Sequence, residues 1–480
     1  MHSILAQHSS SLQRLFVAAA AVSILSGCGG GRTAPPAGAP RGEQGPPGGS
    51  GQGPAVSGRN QPRGSLVPTF DVAPLYRQMG MIARGLPFPV LGRAGFAATA
   101  SPDSTHVIVG LSFANTALSF TREADNRFRA RYAIGMTLSR DGAIVARTET
   151  TEEVVVAAYR EVSRNEESIV HQEILDAAPG RYTLTVAVRD EGSQRSTQEQ
   201  LVIDVPRYGV DGLSSPMPVS EVVPRRGRDA VPFLLLNPSG TAIAGRDSLL
   251  PIYVEGYGDT TRTYRLLIRN EKGRIISNET APLTRRGDLR SGVIEVPVSR
   301  IGIGVAQLTV AVDGGTDSSS TYVFVGFGAE MPVASFDEML NFLRHFAAPP
   351  RLDRLRAASE DERPAAWATF MRETDDQPST REHEALRMYF GRLVRANSRF
   401  REEATPGWLS DRGRVFITLG EPDQLLEPQI TDFQRNRTQV WEYQGQNLQL
   451  IFVDVTGTGR WRLSTSSEAR FDQEYRRRLR

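Results

Sequence analysis

The side chains best suited by type to do chemistry are four acidic residues near the C-terminus: Asp411, Glu421, Asp423 and Asp454. Paired carboxylates can act as general acid and base, or hold a hard cation through their oxygens. Each of these residues lies beside a predicted turn or strand end, and no spacing fixes two of them together. The alternative is turn chemistry, in which Asp411 accepts backbone amides and Glu421-Pro422-Asp423 forms a turn. We therefore name no catalytic residue and no metal ligand.

Other catalytic patterns also lack support in the sequence. Glu382-His383-Glu384, at a predicted helix start, has no second histidine four residues later, as a zinc protease would need. There is no Gly-x-Ser-x-Gly motif and no phosphate-binding loop, so nucleophilic catalysis and nucleotide binding have no basis. A formal net charge of only +2 in 480 residues argues against a nucleic-acid partner. We expect no cofactor, and a non-enzymatic protein rather than an enzyme.

The four tryptophans of the chain are Trp367, Trp408, Trp441 and Trp461. Their rings could line a groove and stack on a carbohydrate or a peptide, or they could pack in a core. We favour the core for most of them. Trp408 is the expected exception, because it lies in a predicted turn.

The single cysteine, Cys28, follows a segment typical of exported bacterial precursors. Residues 15–25 are apolar and too few to span a bilayer as a helix. Residues 25–28 match the lipobox, in which small residues fit a peptidase groove and a cysteine thiol accepts diacylglycerol; they are Leu25, Ser26, Gly27 and Cys28. We therefore predict a signal peptide over 1–27 and a membrane anchor on the cysteine, since each buried methylene contributes about 0.8 kcal/mol. A plain signal peptide that happens to end in cysteine is the alternative.

Residues 28–65 consist mostly of Gly, Pro, Ser, Ala and Arg, with almost no large apolar side chain. This composition cannot bury a core, so we predict a disordered tether. Its reach would be roughly 30–35 Å. Gly29 differs from the aspartate that retains lipoproteins at the inner membrane in enteric-type sorting, which favours the outer membrane. The predicted partners are the membrane, through the lipid, and a protein or glycan of the envelope.

Alternation with a period of two residues indicates β-strands from about 104 to 208. Asp141-Gly142 lies between two such strands and predicts a tight hairpin, because both residues tolerate positive φ. Tyr182 follows a Pro-Gly turn at the start of a late strand, as in the tyrosine corner of immunoglobulin-like sandwiches. We therefore predict a β-sandwich module over 66–210, with an N-terminal extension.

A second module repeats the pattern of the first. The segment 264–276 follows the order strand, polar turn, glycine and strand that is found at 132–145, and 306–313 resembles 182–190. Two matched pairs in the same order predict a second β-sandwich over 215–328. Coincidence among β-rich sequences is the alternative.

The apolar pattern becomes helical near residue 335 and then returns to alternation. Ser335 and Ser379 each begin a capping-box pattern, with a glutamate three residues later. Strand patterns follow at 414–419, 439–443, 448–454 and 460–463. We predict helices and then a small antiparallel sheet over 335–470, an α+β domain. The basic tail over 471–480 is either the solvated end of a helix or a contact with anionic lipid or a partner. The predicted fold class is thus multidomain, with two tandem immunoglobulin-like β-sandwiches followed by an α+β domain.

One long motif lies in this last domain. Its residues are Gly407, Trp408, Ser410, Asp411, Gly413, Pro422, Asp423, Trp441 and Asp454. Over about 335–470 the chain resembles the GWxTD domain of bacterial envelope and secreted proteins. Ser410 stands where the name of the family has threonine, and both hydroxyls can cap a turn. The resemblance implies a fold and a compartment but no reaction, so the roles of the motif residues stay open.

These features predict a lipid-anchored, non-enzymatic envelope protein with a binding, scaffold or assembly role. The sandwiches would act as spacers or docking surfaces that present the C-terminal domain to its partner. The alternative is an enzyme or enzyme accessory that acts on cell-wall or secreted polymer, with Trp408 and the acidic residues at its site.

Overall fold

A computed structural model of the chain describes residues 73–480, except for 86–87, 163–167, 210–211, 245, 259–260, 288, 327–335, 361, 380–382, 404 and 428–436. The predicted signal peptide, the lipobox with Cys28, and the tether lie outside the described residues, as does the capping pattern at Ser335. Among the residues described, no helix is both long enough and apolar enough to cross a membrane.

The first β-sandwich consists of two antiparallel sheets. Its elements are α1 (Ala73–Gln78), β1 (Ile82–Arg84), β2 (Val90–Ala98), β3 (Thr105–Ala114), β4 (Thr121–Arg122), β5 (Phe128–Arg140), β6 (Ala143–Val156), α2 (Tyr159–Val162), β7 (Ser168–Ala177), β8 (Gly180–Asp190) and β9 (Ser196–Val205). One sheet has the order β1-β2-β3-β7, and the other has the order β6-β5-β8-β9, with β4 also paired to β5. Alternate residues of β3, β5 and β8 face each other between the sheets and form the core.

Two local predictions in this sandwich are confirmed. Asp141 and Gly142 both have positive φ, 51° and 82°, so they form the tight turn that joins β5 to β6. The hydroxyl of Tyr182 donates a hydrogen bond of 2.9 Å to the carbonyl oxygen of Ala178. This contact, from a tyrosine to the backbone four residues upstream, is the geometry of a tyrosine corner.

The second β-sandwich repeats the topology of the first. Its elements are β10 (Gly212–Leu213), β11 (Met217–Val223), β12 (Phe233–Leu236), β13 (Thr241–Ile243), β14 (Leu249–Tyr257), β15 (Tyr264–Arg269), β16 (Ile275–Ala281), β17 (Thr284–Arg286), β18 (Leu289–Pro297), α3 (Val298–Ile301), β19 (Gly304–Val312) and β20 (Ser318–Gly326). One sheet has the order β12-β11-β14-β18-β17, with β10 on β14, and the other has the order β13-β20-β19-β15-β16. The run β16-β15-β19-β20 corresponds to β6-β5-β8-β9, which confirms the predicted repeat.

The two sandwiches meet through a buried apolar layer. Ala97 and Ile108 of the first sandwich pack with Met217, Leu236 and Tyr253 of the second, and all five are almost completely buried. Glycines in β2 and β3 allow this approach: a Cβ at position 95 would lie 2.6 Å from the sulfur of Met217. The joint therefore resembles a domain core more than a contact between two surfaces.

Buried charges cross the same joint. The guanidinium of Arg225 forms two hydrogen bonds of 2.7 Å with the carboxylate of Glu255, and it also donates to the carbonyl oxygen of Ala98 in the first sandwich. Arg93 reaches in the opposite direction and donates to the carbonyl oxygens of Pro238 and Tyr322. Burial lowers the pKa of Arg93 to about 10, so the side chain stays charged at neutral pH.

The C-terminal part is an α+β domain around one core. Its elements are α4 (Phe336–Phe342), α5 (Pro349–Ala357), α6 (Arg363–Thr374), α7 (Glu384–Arg399), α8 (Asp411–Leu419), β21 (Gln424–Leu426), β22 (Arg437–Tyr443), β23 (Leu448–Asp454), β24 (Arg462–Leu463) and α9 (Thr465–Arg478). The four strands form an antiparallel sheet in sequence order, and helices and sheet share a single apolar cluster. The predicted fold class, two tandem immunoglobulin-like sandwiches followed by an α+β domain, is confirmed.

Two local predictions in this domain, one of a strand and one of a helix cap, were wrong. The segment 414–419, predicted as a strand, lies in helix α8, and Val415, Phe416 and Ile417 are all buried. Because the helix is buried on every side here, its sequence has no polar stripe that would mark a helical period. The capping pattern at Ser379 also fails, since helix α7 is capped by His383, whose Nδ1 accepts a hydrogen bond from the amide of Leu386.

The basic segment 471–480 is the second half of helix α9 and the residues after it. Phe471 is buried in the domain core, and Arg477 and Arg478 form ion pairs with Glu474 on the same helix. The amide of Arg480 donates to the carbonyl oxygen of Phe346, so this segment packs against the start of the domain.

Candidate functional site

The residues 407–413 comprise a compact turn after helix α7 and the first residues of helix α8. Gly407 begins a single 3₁₀ turn that lies against the end of α7, where a Cβ would overlap the carbonyl oxygen of Ala396. A Cβ at Gly413 would overlap the carbonyl oxygen of Gly407. Both glycines are therefore required by the close approach of backbone to backbone.

Ser410 caps helix α8 with its side chain. The hydroxyl accepts a hydrogen bond of 3.0 Å from the amide of Gly413 and donates one of 2.7 Å to the carbonyl oxygen of Gly407. The residue is completely buried. A threonine, which the family motif has here, carries the same hydroxyl, so the departure from the motif preserves the cap.

The carboxylates of Asp411 and Asp454 hold the edge of the small sheet. Oδ2 of Asp411 accepts a hydrogen bond of 2.9 Å from the amide of Leu463 in β24. Oδ2 of Asp454, at the end of β23, accepts one of 2.8 Å from the amide of Gly459, and Asp454 is completely buried. Asp411 thus joins helix α8 to β24, and Asp454 holds the loop after β23 against the end of that strand.

Trp408 is a core residue, which corrects the expectation that it would be exposed. Its side chain is completely buried, and its ring centroid lies 5.6 Å from that of Phe342. The guanidinium of Arg344 lies 5.2 Å above the ring. The other three tryptophans are buried as well, as predicted, because the helices and the sheet close over the turn.

The second part of the motif begins after helix α8. Asp423, which follows Pro422, accepts a hydrogen bond of 2.7 Å from the amide of Gln444, and Glu421 forms an ion pair with Arg399. Trp441 in β22 is almost completely buried, and its indole N–H donates to the side-chain oxygen of Gln439. The turn chemistry proposed for Glu421-Pro422-Asp423 thus agrees with the contacts of Asp423.

Arg412 lies inside the motif and was not singled out in the sequence. Its guanidinium lies 4.9 Å from the ring of Trp461 and 5.4 Å from that of Phe400. Burial lowers its pKa, and the nearby carboxylates of Glu402 and Asp454 oppose this effect. Glu402 accepts a hydrogen bond of 3.0 Å from the amide of Trp461. Only the position of Arg412 next to Asp411 could have drawn attention to it.

The acidic residues of the motif are therefore used to join elements. Asp411, Asp423 and Asp454 each accept a backbone amide, and Glu421 is paired with an arginine. Within the described part of the chain, no group of three or more His, Cys, Asp or Glu side chains is arranged to hold a metal ion. The geometry supports a structural role for the motif.

These observations define the chain as a tandem β-sandwich protein with a C-terminal α+β domain in which polar residues of the motif bind backbone groups of the same domain. The sequence profile of the GWxTD domain matches residues 310–463, so this part of the chain is a GWxTD domain. No curated protein matches the chain in sequence.

Several solved structures have weak similarity to the chain. A β-glucuronidase from Bifidobacterium dentium in complex with coumarin-3-O-glucuronide is 9% identical, with a TM-score of 0.17 over 46% of this chain and 40% of that one. Fibronectin(III)-like modules of CbhA from Clostridium thermocellum are 11% identical, with a TM-score of 0.13 over 46% of this chain and 86% of theirs. Tandem immunoglobulin domains of titin are 10% identical, with a TM-score of 0.15 over 49% of this chain and 97% of theirs. Similarity at this level implies nothing about function.

Proposed function

We propose that the protein is a lipid-anchored component of the bacterial envelope with a binding or scaffold role and no catalytic activity of its own. In this proposal lipid on Cys28 and the tether over 28–65 attach the chain to a membrane, the outer membrane by analogy with enteric-type sorting. The two sandwiches then hold the GWxTD domain toward a protein or glycan partner.

The observation that carries the scaffold role is the use of the motif's polar side chains. Asp411, Asp423 and Asp454 each bind a backbone amide of another segment, so the most distinctive residues of the domain maintain its fold. An acid–base pair in an enzyme would instead present its carboxylates to a cleft that a substrate can enter.

The joint between the sandwiches supports the same role. A spacer transmits position only if its modules do not rotate freely, and a buried apolar layer with crossing hydrogen bonds from Arg93 and Arg225 restricts rotation. The pair therefore behaves as one rigid arm.

Membrane fractionation of the wild-type protein and of Cys28→Ala in the native cell tests the anchor. We expect the wild type in the membrane fraction and Cys28→Ala in the soluble fraction. Ser26→Ala is the matched control, because it keeps a small residue in the lipobox and should remain in the membrane fraction. If both the wild type and Cys28→Ala are soluble, the anchor proposal is wrong.

In vivo crosslinking of the membrane pool, followed by mass spectrometry, tests the binding role. A reproducible protein or glycan neighbour that is lost when the GWxTD domain is destabilised by Gly413→Ala would support it. Turnover of cell-wall or secreted polymer by the purified protein would contradict the non-enzymatic role and favour the enzyme alternative.

A further inference from the structure

A cleft of about 360 Å³ lies where the second sandwich meets the GWxTD domain. The sandwich contributes the turn between β15 and β16 and helix α3, and the GWxTD domain contributes the start of α4 and of α6. Ligand sites occur preferentially at such domain junctions, and this volume is within their usual range.

One part of the lining of the cleft, called the floor below, is apolar. Ile276, Ile301 and Ile303 line it on the side of the sandwich, and Phe336 and Trp367 line it on the side of the GWxTD domain. Side chains from two domains thus surround one space that can accept the apolar stem of a ligand.

Glu271 also lines the cleft, and only one of its two carboxylate oxygens accepts a hydrogen bond from the described residues. Its Oε2 accepts a hydrogen bond of 3.1 Å from the amide of Phe336. Its Oε1 accepts none from the residues that the structure describes, and the nearest cation, the guanidinium of Arg363, is 3.9 Å away. Burial raises the pKa of Glu271, and the amide of Phe336 and the charges of Arg363 and Lys272 oppose this effect without cancelling it.

The other charges around the cleft already have close partners. Glu279 forms an ion pair with Arg300. Glu360 accepts a hydrogen bond of 2.8 Å from the side-chain amide of Asn270, and the ammonium of Lys272 lies 2.9 Å away from it.

The ion pair between Arg363 and Glu271 is a long one. The guanidinium of Arg363 lies 4.4 Å above the ring of Phe336, which holds it against the aromatic face and away from the carboxylate. The distance of 3.9 Å between Arg363 and Oε1 of Glu271 is that of a long ion pair and exceeds that of a hydrogen bond, so this oxygen receives no hydrogen bond from the residues that the structure describes.

We propose that this cleft binds a basic side chain, an arginine or a lysine, from a partner polypeptide. The alkyl stem lies on the isoleucines of the floor, and the cationic head donates to Oε1 of Glu271. A neutral group of the same shape would bring no positive charge to that carboxylate and should bind more weakly. This site rests on the proposed binding role, and it specifies the chemistry of the partner.

A pair of matched probes tests the cleft directly. N-acetyl-arginine amide and N-acetyl-citrulline amide have nearly the same shape, but only the first carries a charge. Binding to the full-length protein in non-ionic detergent is measured by saturation-transfer NMR. We expect saturable binding of the arginine probe with a Kd on the order of 1 mM, and binding of the citrulline probe at least fivefold weaker.

Two protein variants assign the binding to Glu271. Glu271→Gln retains an acceptor for the amide of Phe336 but loses the charge, and it should weaken binding of the arginine probe at least fivefold. Glu279→Gln removes an equal charge at the rim and should change binding less than twofold. Tryptophan fluorescence during urea unfolding verifies that both variants stay folded.

Three results would overturn the proposal: equal binding of both probes, unchanged binding to Glu271→Gln, or no saturation by 20 mM of the arginine probe. None of them depends on the membrane anchor. Fractionation of Cys28→Ala and crosslinking therefore test the proposed function separately.

Discussion

One hydroxyl at Ser410 binds two backbone groups, the amide of Gly413 and the carbonyl oxygen of Gly407, which also accepts a hydrogen bond from the amide of Ser410. The hydroxyl accepts from the amide of Gly413 and donates to the carbonyl oxygen of Gly407. Removing one partner of a buried hydrogen bond costs more than the bond contributes, because the remaining group is not solvated.

We expect Ser410→Ala to destabilise the GWxTD domain by about 1–3 kcal/mol. Urea unfolding followed by tryptophan fluorescence measures this domain selectively, because all four tryptophans of the chain lie in it. Ser410→Thr keeps the hydroxyl of the family motif and should stay within about 1 kcal/mol of the wild type. If threonine destabilises the domain as much as alanine does, the hydroxyl is not the cause.

Because the pKa of His345 is lowered in the folded domain, we expect the stability of the domain to depend on pH. Burial lowers the pKa of this histidine to about 3, and the charges of Arg344 and Arg414 add to this effect. In the unfolded chain a histidine titrates near pH 6.5, so the unfolded state takes up a proton that the folded domain does not. This contribution to stability is complete above about pH 6.5 and is lost as the pH falls from there toward 3.

Between pH 6 and 5 the free energy of unfolding should fall by up to about 1.4 kcal/mol per pH unit for this residue. His345→Phe should remove that slope, whatever it does to the stability at pH 7. Urea unfolding of the two proteins at pH 7, 6 and 5 measures the difference. Equal slopes in both would contradict a buried neutral histidine.

At the scale of the element, short-range signals were the most informative. Asp141-Gly142 and Tyr182 determine their structures through contacts within four residues, so the sequence was sufficient to predict them. Helix α8 was not predicted, because it is buried on all sides and its apolar residues resemble the alternating pattern of a strand. The one local signal for this helix is its cap, Ser410.

The positions of the site residues depend on contacts between residues that are far apart in the sequence. Trp408 was expected to be exposed because its turn was visible in the sequence, whereas helix α4, which covers it through Phe342, is more than 60 residues away in the chain. Glu271 and Arg363 also come from different domains, and no spacing rule relates them. Such juxtapositions are set by tertiary packing, which one sequence does not encode as a local pattern.

Close packing of α7, the 3₁₀ turn and α8 gives a further prediction. Gly413→Ala should destabilise the GWxTD domain by more than about 3 kcal/mol, because the new methyl group overlaps the carbonyl oxygen of Gly407 and backbone must move. Gly391→Ala is the control: it lies within helix α7 in open space and should stabilise the helix by up to about 1 kcal/mol. Tryptophan fluorescence in urea compares them, and similar stabilities would argue against the close contact.

At the scale of the whole molecule, the two joints differ in kind. The sandwiches share a buried apolar layer and crossing hydrogen bonds, whereas the second sandwich meets the GWxTD domain around charged side chains and a cleft. Salt screens exposed ion pairs but does not weaken apolar burial in this way. The first joint should therefore persist under conditions that loosen the second.

Scanning calorimetry tests the first joint. We expect the two sandwiches to unfold in one transition that Gly240→Ala shifts to lower temperature, because a Cβ there overlaps the guanidinium of Arg93 across the joint. Gly314→Ala is the matched control for Gly240→Ala. Both glycines have positive φ, 71° and 62°, but a Cβ at Gly314 would meet no atom within 4 Å. The Gly314 variant should therefore lose only about 1 kcal/mol. Equal shifts for both variants would show that Arg93 does not join the modules.

The single lysine of the chain lies at the second joint. Lys272 pairs with Glu360 across the boundary between sandwich and GWxTD domain, and its side chain is about half exposed, at 53%. An amine-reactive dye can therefore label one lysine side chain without any engineered residue. Acylation of the same amine removes the cation that pairs with Glu360. One reagent thus makes this boundary both visible to fluorescence and open to perturbation in the unmutated protein.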